Sequence, residues 1–254
     1  MRLKNKIAVI TGAAGGIGQA AAFLFSQEGA RVVVVDNDAE KGKETVNKIT
    51  REGGKAILVK ADVSRRDEVE EIFKITRKEY GALHILYNNA AIFLRKADGP
   101  ITEITEETWD WILDVNLRGV FLCCKYGIPE IIRSGGGAVI NTSSSAGVIG
   151  VPQCDAYTAT KGAIISLTRS LAVEYAPQKV RVNCIVPCAV DTPMLNESSR
   201  EDPSFDEAKF LATTPARRYG KPEEIAQMAL FLASDEASYC IGGIFVSDGG
   251  ITIS

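Results

Sequence analysis

The stretch Ile7-Ala8-Val9-Ile10-Thr11-Gly12-Ala13-Ala14-Gly15-Gly16-Ile17-Gly18 decides how the rest of the chain is read. A short apolar run of strand type meets a cluster of glycines, and the residues that follow, Ile17–Glu28, have helical spacing. Glycine lets the backbone turn sharply at such a junction. It also lets a pyrophosphate approach the start of the helix, where free N–H groups and the helix dipole favour an anion. The spacing is Gly12-x-x-x-Gly16-x-Gly18, not G-x-G-x-x-G, and the Lys-Ser/Thr pair of a triphosphate-binding loop is missing. Taken alone, a glycine-rich turn is also ordinary punctuation between a strand and a helix. Its place directly after the first strand makes it a candidate for dinucleotide binding.

Outward from that junction, strand-like and helix-like runs alternate almost to the end. Strands are expected at Ile7–Ile10, Arg31–Val35, Ala56–Lys60, His84–Tyr87, Ala138–Asn141, Arg181–Val186 and Ile244–Ser247. Helices are expected at Ile17–Glu28, Glu40–Glu52, Arg66–Glu79, Glu106–Arg133, Ala156–Tyr175 and Pro222–Ala233. Ser64 and Thr105 are placed to cap two of these helices, and Pro222-Glu223-Glu224 suits a first helical turn. Val32-Val33-Val34-Val35 is apolar on both faces, as a strand covered on both sides must be. Alternating β and α units with such strands predict an α/β fold, a parallel sheet flanked by helices, in a single domain over residues 1–254. One long irregular stretch, about 190–218, is polar but studded with Met194, Leu195, Phe205, Phe210 and Leu211, the mixture expected of a substrate lid.

Composition narrows the class further. With 254 residues, 46% hydrophobic and 24% charged, the chain can build a sizeable core, which excludes disordered, collagen-like and coiled-coil classes. Its 29 basic and 32 acidic residues give a net charge of −3, so there is no overall basic field for nucleic acid or an anionic membrane. No apolar run approaches the roughly 20 residues of a membrane helix, and no signal peptide is legible at the start. Cys123, Cys124, Cys154, Cys184, Cys188 and Cys240 are scattered without a C-x-x-C pair, and His84 is the one imidazole. Free thiols, no metal site and a cytoplasmic location are the expectation.

Two further positions carry chemistry. Asp36 closes the second strand eighteen residues after Gly18. A carboxylate there accepts hydrogen bonds from the hydroxyls of an adenosine ribose and repels a 2′-phosphate, which predicts NAD(H) over NADP(H). Tyr157 and Lys161 stand four residues apart on one helix face, and the ammonium is expected to lower the phenol pKa toward working pH. Such a tyrosine can exchange a proton with a carbinol or carbonyl oxygen. Many helices carry a Tyr and a Lys at this spacing, but here Asn141-Thr142-Ser143-Ser144-Ser145 ends a strand at the same sheet edge.

Thr11-Gly12-x-x-x-Gly16-Ile17-Gly18, Asn88-Asn89-Ala90, Asn116, Ser143–Ser145 and Tyr157-x-x-x-Lys161 follow one another in that order. The set resembles the short-chain dehydrogenase/reductase family, and the resemblance spans essentially the whole chain. It implies a single Rossmann-like, doubly wound domain with a seven-stranded parallel sheet, a nicotinamide cofactor, and a homotetramer or homodimer. By position, Tyr157 would be the general acid/base, and Lys161 would tune it and hold the nicotinamide ribose. Ser144 would steady the substrate oxygen, with Ser143 as rival because a triple serine leaves the register open by one. Asn116 would anchor a water of the proton relay. The resemblance further assigns Gly12, Gly16, Ile17, Gly18 and Asp36 to the cofactor, Asp62 and Val63 to adenine, and Asn89 and Ala90 to the cofactor wall. Pro187, Val190 and Thr192 would flank the nicotinamide. Departures from the family pattern are Ala91 and Cys188 in place of glycine and His84 in place of an acidic residue.

The function so predicted is NAD(H)-dependent interconversion of a secondary alcohol and a ketone. A nucleotide-binding redox sensor without catalysis is the alternative, weakened by the intact Asn116, Ser144, Tyr157 and Lys161 set. Val148, Ile149, Val151 and the lid point to a neutral, moderately hydrophobic small-molecule substrate. Arg95, Lys96 and Arg200 are candidates for an anion contact, and sugar alcohols, cyclic alcohols, steroids and keto-esters all stay open.

Overall fold

The computed structural model describes residues 1–196 and 205–254. Arg200 and the middle of the expected lid lie outside the described residues. Seven strands form one sheet: β1 (Ile7–Thr11), β2 (Arg31–Asp36), β3 (Lys55–Lys60), β4 (Ile85–Asn88), β5 (Gly137–Thr142), β6 (Val180–Pro187) and β7 (Ile244–Ser247). Their order is β3-β2-β1-β4-β5-β6-β7, and every neighbouring pair is parallel. The chain therefore reverses its direction of travel between β1 and β4. At such a switch point the connecting helices part, and a crevice opens at the carboxyl edge of the strands.

The helices are α1 (Gly16–Gln27), α2 (Ala39–Arg51), α3 (Arg66–Tyr80), α4 (Glu106–Leu113), α5 (Gly119–Arg133), α6 (Asp155–Tyr175), α7 (Pro193–Leu195), α8 (Glu207–Thr213) and α9 (Pro222–Ala233). Alternation along the strands sends side chains to two separate cores. Val9, Val33, Val35 and Val139 pack with α3, α5 and α6 on one face, through Val69, Phe73, Ile128 and Ile164. Ala8, Ile10, Val32 and Val34 pack with α1, α2 and α9 on the other, through Ala22, Phe25, Ile49 and Ala229.

Two local expectations change. The helix expected over Glu106–Arg133 is interrupted: Asp114–Arg118 winds as a turn of π-helix between α4 and α5. Ser64 does not cap α3, whose N-cap is Arg65 with no side-chain hydrogen bond. The Ser64 hydroxyl instead donates to Asp62 Oδ1 at 2.7 Å. Thr105 does cap α4, accepting from the Thr108 N–H at 3.2 Å. His84 is a packing residue whose Nδ1 accepts from the Ile7 N–H at 3.1 Å. Among the described residues no helix is long and apolar enough to cross a membrane.

Candidate active site

At the end of β1 the chain turns through Gly12, which has φ +64°. A Cβ there would lie 2.9 Å from Ala90 Cα, and one on Gly18 would lie 2.1 Å from the Gly12 carbonyl oxygen. The two glycines allow β1, the end of β4 and the first turn of α1 to close on one another. The Thr11 hydroxyl accepts from the Asn89 and Ala90 N–H groups at 3.0 and 3.1 Å. Asn89 Nδ2 donates back to the Thr11 carbonyl at 3.1 Å. Across the crevice, a Cβ on Gly16 would meet Thr192 Cγ2 at 3.2 Å, so the segment after β6 closes on the glycine turn.

Gly15, the N-cap of α1, is different: a Cβ there would find nothing within 4 Å. Its N-cap residue brings no side-chain cap, so the orphan N–H groups of the first turn are left without a partner from that position. The Asp36 carboxylate stands beside it. Oδ2 accepts from the Ala14 N–H at 2.9 Å and Oδ1 from the Asp38 N–H at 3.0 Å, which leaves each oxygen a second lone pair. The following cation, Lys41, pairs with Asp38 at 3.4 Å. Asp62 and Val63 follow the adjacent strand end, where the Ala61 N–H donates to the Asp36 carbonyl at 2.9 Å. Val63 packs on Gly119, where a Cβ would approach its Cγ2 to 2.8 Å. An open helix N-terminus beside a carboxylate with spare acceptor capacity fits a dinucleotide of the NAD type.

The reactive groups lie where β5 and α6 meet. Lys161 is 2% exposed, and its Nζ donates to the Thr142 carbonyl at 3.1 Å. The ammonium lies 5.4 Å from the centre of the Tyr157 ring. Burial holds the Lys161 pKa down to about 8. Burial also pushes the Tyr157 phenol up to about 12, and the Ser144 hydroxyl beside it works in the opposite direction. The expected lowering of the phenol by Lys161 is thus not found: loss of water around the ring dominates and raises its pKa.

The triple serine divides its tasks. Ser143 turns inward and donates to the Lys161 carbonyl at 2.7 Å, while Ser144 is the hydroxyl beside Tyr157. Asn116 sits in the π-helical turn, fully buried. Its Oδ1 accepts from the Ile92 N–H at 2.8 Å, and its Nδ2 donates to the Ile92 carbonyl at 2.9 Å. The side chain therefore ties the π turn to the loop after β4. Pro187 ends β6, Val190 bridges to Gly220, and Thr192 caps α7, its hydroxyl accepting from the Leu195 N–H at 3.4 Å. Burial pushes the Cys188 thiol up, and the Ser145 hydroxyl beside it works the other way.

Two neighbours of Tyr157 were not legible in the chain. The Phe93 ring lies 4.6 Å from the Tyr157 ring, tilted by 46°. Asp98, 5% exposed, accepts from the Ala156 N–H at 3.2 Å and the Tyr157 N–H at 2.9 Å. Both come from the loop after β4, more than fifty residues before α6, where no spacing rule connects them to Tyr157. Among the described residues no group of His, Cys, Asp or Glu side chains is arranged to hold a metal ion.

A family model described as enoyl-(acyl carrier protein) reductase matches residues 12–252. Cyclohexanol dehydrogenase of Acinetobacter sp. (strain SE19) is 38% identical over 254 residues, covering 99% of this chain and 96% of that protein. The chain belongs to the short-chain dehydrogenase/reductase family. Among solved members of the family, levodione reductase superposes with a TM-score of 0.94 at 33% identity, covering 100% of both chains. The 3-ketoacyl-(acyl-carrier-protein) reductase of Brucella melitensis, solved in complex with NADH, gives 0.90 at 34% identity, covering 99% of this chain and 100% of that one. As a short-chain dehydrogenase/reductase, the protein is an oxidoreductase acting on alcohols with a nicotinamide cofactor.

Proposed function

We propose that this protein is an NAD(H)-dependent dehydrogenase of secondary alcohols, and reductase of the matching ketones, with Tyr157 as general acid/base. The single observation that carries the reading is the convergence of Ser144, Tyr157 and buried Lys161, whose Nζ is held at the end of β5 by the Thr142 carbonyl. In the oxidative direction the carbinol oxygen binds between the Ser144 and Tyr157 hydroxyls, and the Tyr157 phenolate takes its proton. In reduction Tyr157 returns that proton to the carbonyl oxygen. NAD supplies the hydride acceptor and, when oxidised, a positive charge. Lys161, held by the Thr142 carbonyl, adds its own charge near the phenol and would hold the nicotinamide ribose. Preference for NAD(H) follows from Asp36, which would face a 2′-phosphate with like charge while Lys41 is engaged by Asp38.

For the substrate we favour a neutral cyclic alcohol. Phe93 forms an aromatic wall on the Tyr157 ring, and the segments that follow β5 and β6 in the chain contribute the apolar residues Val148, Ile149, Val151 and Met194. Similarity to a cyclohexanol dehydrogenase supports the same class. A homotetramer or homodimer is supported by large side chains left exposed on α4, α5 and α6, namely Trp111, Phe121 and Val173, and light scattering tests it.

The test follows absorbance at 340 nm with cyclohexanol, other secondary alcohols and β-hydroxyacyl thioesters, each with NAD and NADP. Turnover of cyclic alcohols with NAD, lost in Tyr157→Phe while NADH still binds, is the expected result. Near-normal turnover in that variant would sink the role of Tyr157. Activity confined to the thioesters would move the substrate class.

A further inference from the structure

The helix that carries Tyr157 begins without a cap of its own. Cys154, at the N-cap of α6, caps none of its N–H groups with its side chain; its Sγ lies instead 3.6 Å from the Thr158 hydroxyl and donates to the Val151 carbonyl at 3.4 Å. The task is done from elsewhere in the chain. Asp98 Oδ1 accepts from the Gly99 N–H at 2.9 Å and the Ala156 N–H at 3.2 Å, and Oδ2 accepts from the Tyr157 N–H at 2.9 Å. The loop is tied to the helix at two more points. The Asp155 N–H donates to the Gly99 carbonyl at 3.3 Å, and the Ile101 N–H donates to Asp155 Oδ2 at 2.9 Å. At its other end the same loop is clamped to Asn116 through Ile92, and Phe93 between the two ties lies on the Tyr157 ring.

We propose that Asp98 is a positioning residue for the reaction: its carboxylate, seated on the Ala156 and Tyr157 N–H groups, fixes where Tyr157 stands against Ser144 and holds Phe93 over it. The inference rests on the reading of Tyr157 as the acid/base. A carboxylate suits this place because the start of a helix presents unpaired N–H groups and the positive end of its dipole. It satisfies three N–H groups at once, which one amide oxygen in a cramped, buried site cannot do. A displacement of about 1 Å at a reacting group is enough for roughly 100-fold in rate.

The experiment compares wild type, Asp98→Asn, Asp98→Glu and Tyr157→Phe with NAD and the fastest alcohol of the cyclohexanol panel, well below the unfolding temperature. Asp98→Asn should lower kcat by about 10- to 100-fold while KM for NAD stays within about twofold. Asp98→Glu keeps the charge and the acceptors but advances the carboxylate by one methylene. It guards against a variant that does not fold, and should lower kcat in the same way. A residue that only stabilises the fold would lower the melting temperature and leave kcat of the folded protein alone. Values of kcat within twofold of wild type in both Asp98 variants, with Tyr157→Phe inactive, would overturn the role of Asp98 and leave that of Tyr157 standing. Turnover in Tyr157→Phe would overturn the reading beneath it.

Discussion

Replacing Lys161 by methionine should stabilise the protein in the absence of cofactor while removing its activity. The ammonium is 2% exposed, and its hydrogen bond goes to a neutral carbonyl, that of Thr142. Burial lowers its pKa from 10.5 to about 8. At about 1.4 kcal/mol per pH unit, carrying that charge at neutral pH costs the fold about 3 kcal/mol. Methionine keeps most of the apolar stem but leaves the Thr142 carbonyl without this donor, which returns about 1–2 kcal/mol. The net gain expected at pH 7 is about 1–2 kcal/mol, or about 2–8 °C in Tm for a chain of this size. The sign of the pH dependence follows. Between about 8, where the folded lysine titrates, and 10.5, where the unfolded one does, the unfolded chain binds more protons, so wild type gains stability as pH rises. The variant's advantage should be complete below pH 8 and shrink through pH 9 and 10. Tyr157 is shifted the other way and stays protonated in both folded proteins over most of this range, so its contribution to the difference is confined to the upper end, near pH 10. Urea denaturation of both proteins at pH 7, 8, 9 and 10 reads this directly. A stability gap that stays constant over that range, or a wild type more stable at pH 7, would refute the account of a buried, costly ammonium.

Gly18→Ala places a methyl 2.1 Å from the Gly12 carbonyl, so the turn must open. A loss of about 1–3 kcal/mol in denaturation and about tenfold or more in NADH affinity by fluorescence titration is expected. Asp36→Ala removes the acceptor for the Ala14 and Asp38 N–H groups as well as the negative charge, so its Tm should fall while the NAD-to-NADP ratio of kcat/KM drops about tenfold. An unchanged ratio would place the discrimination elsewhere. Cys123, Cys124, Cys154 and Cys184 are buried, and burial pushes each of these thiols up. At most two of the six cysteines should therefore react quickly with a disulfide reagent at pH 8, and all six in urea without reductant. Fewer than six in urea would reveal a disulfide.

What could be read from the chain is what repeats locally or belongs to a compact motif. Val32–Val35 announces a doubly covered strand because both of its faces are apolar, and that burial is what a parallel sheet requires. Gly12, Gly16 and Gly18 announce the crevice because a close backbone approach there tolerates no side chain. The choice between Ser143 and Ser144 escaped because β5 ends at Thr142. Beyond a strand end, alternation no longer dictates which side chain turns inward. The π-helical turn at Asn116 has no signature in the apolar spacing of Glu106–Arg133, since one widened turn barely shifts the face that α4 and α5 present to the sheet.

The direction of the Tyr157 pKa escaped for another reason, and it bears on how the site works. Spacing on a helix shows that an ammonium is near a phenol, but desolvation depends on what the rest of the fold places around both. Here β5, α6 and the Phe93 loop enclose the pair, so each group resists its charged form: Lys161 at about 8, Tyr157 at about 12. Both charged forms help each other, and a positive charge brought in beside them favours the phenolate further. A raised pKa keeps Tyr157 protonated in the free protein, and in the proposed mechanism the positive charge of oxidised cofactor would favour the phenolate needed to take a proton. Such coupling predicts that the phenolate absorbance near 295 nm, assigned by difference from Tyr157→Phe, appears at lower pH with NAD bound than without it. Reduced cofactor, lacking the ring charge, should move it far less. Equal midpoints for free protein, NAD complex and NADH complex would show that the phenol is tuned by the protein alone.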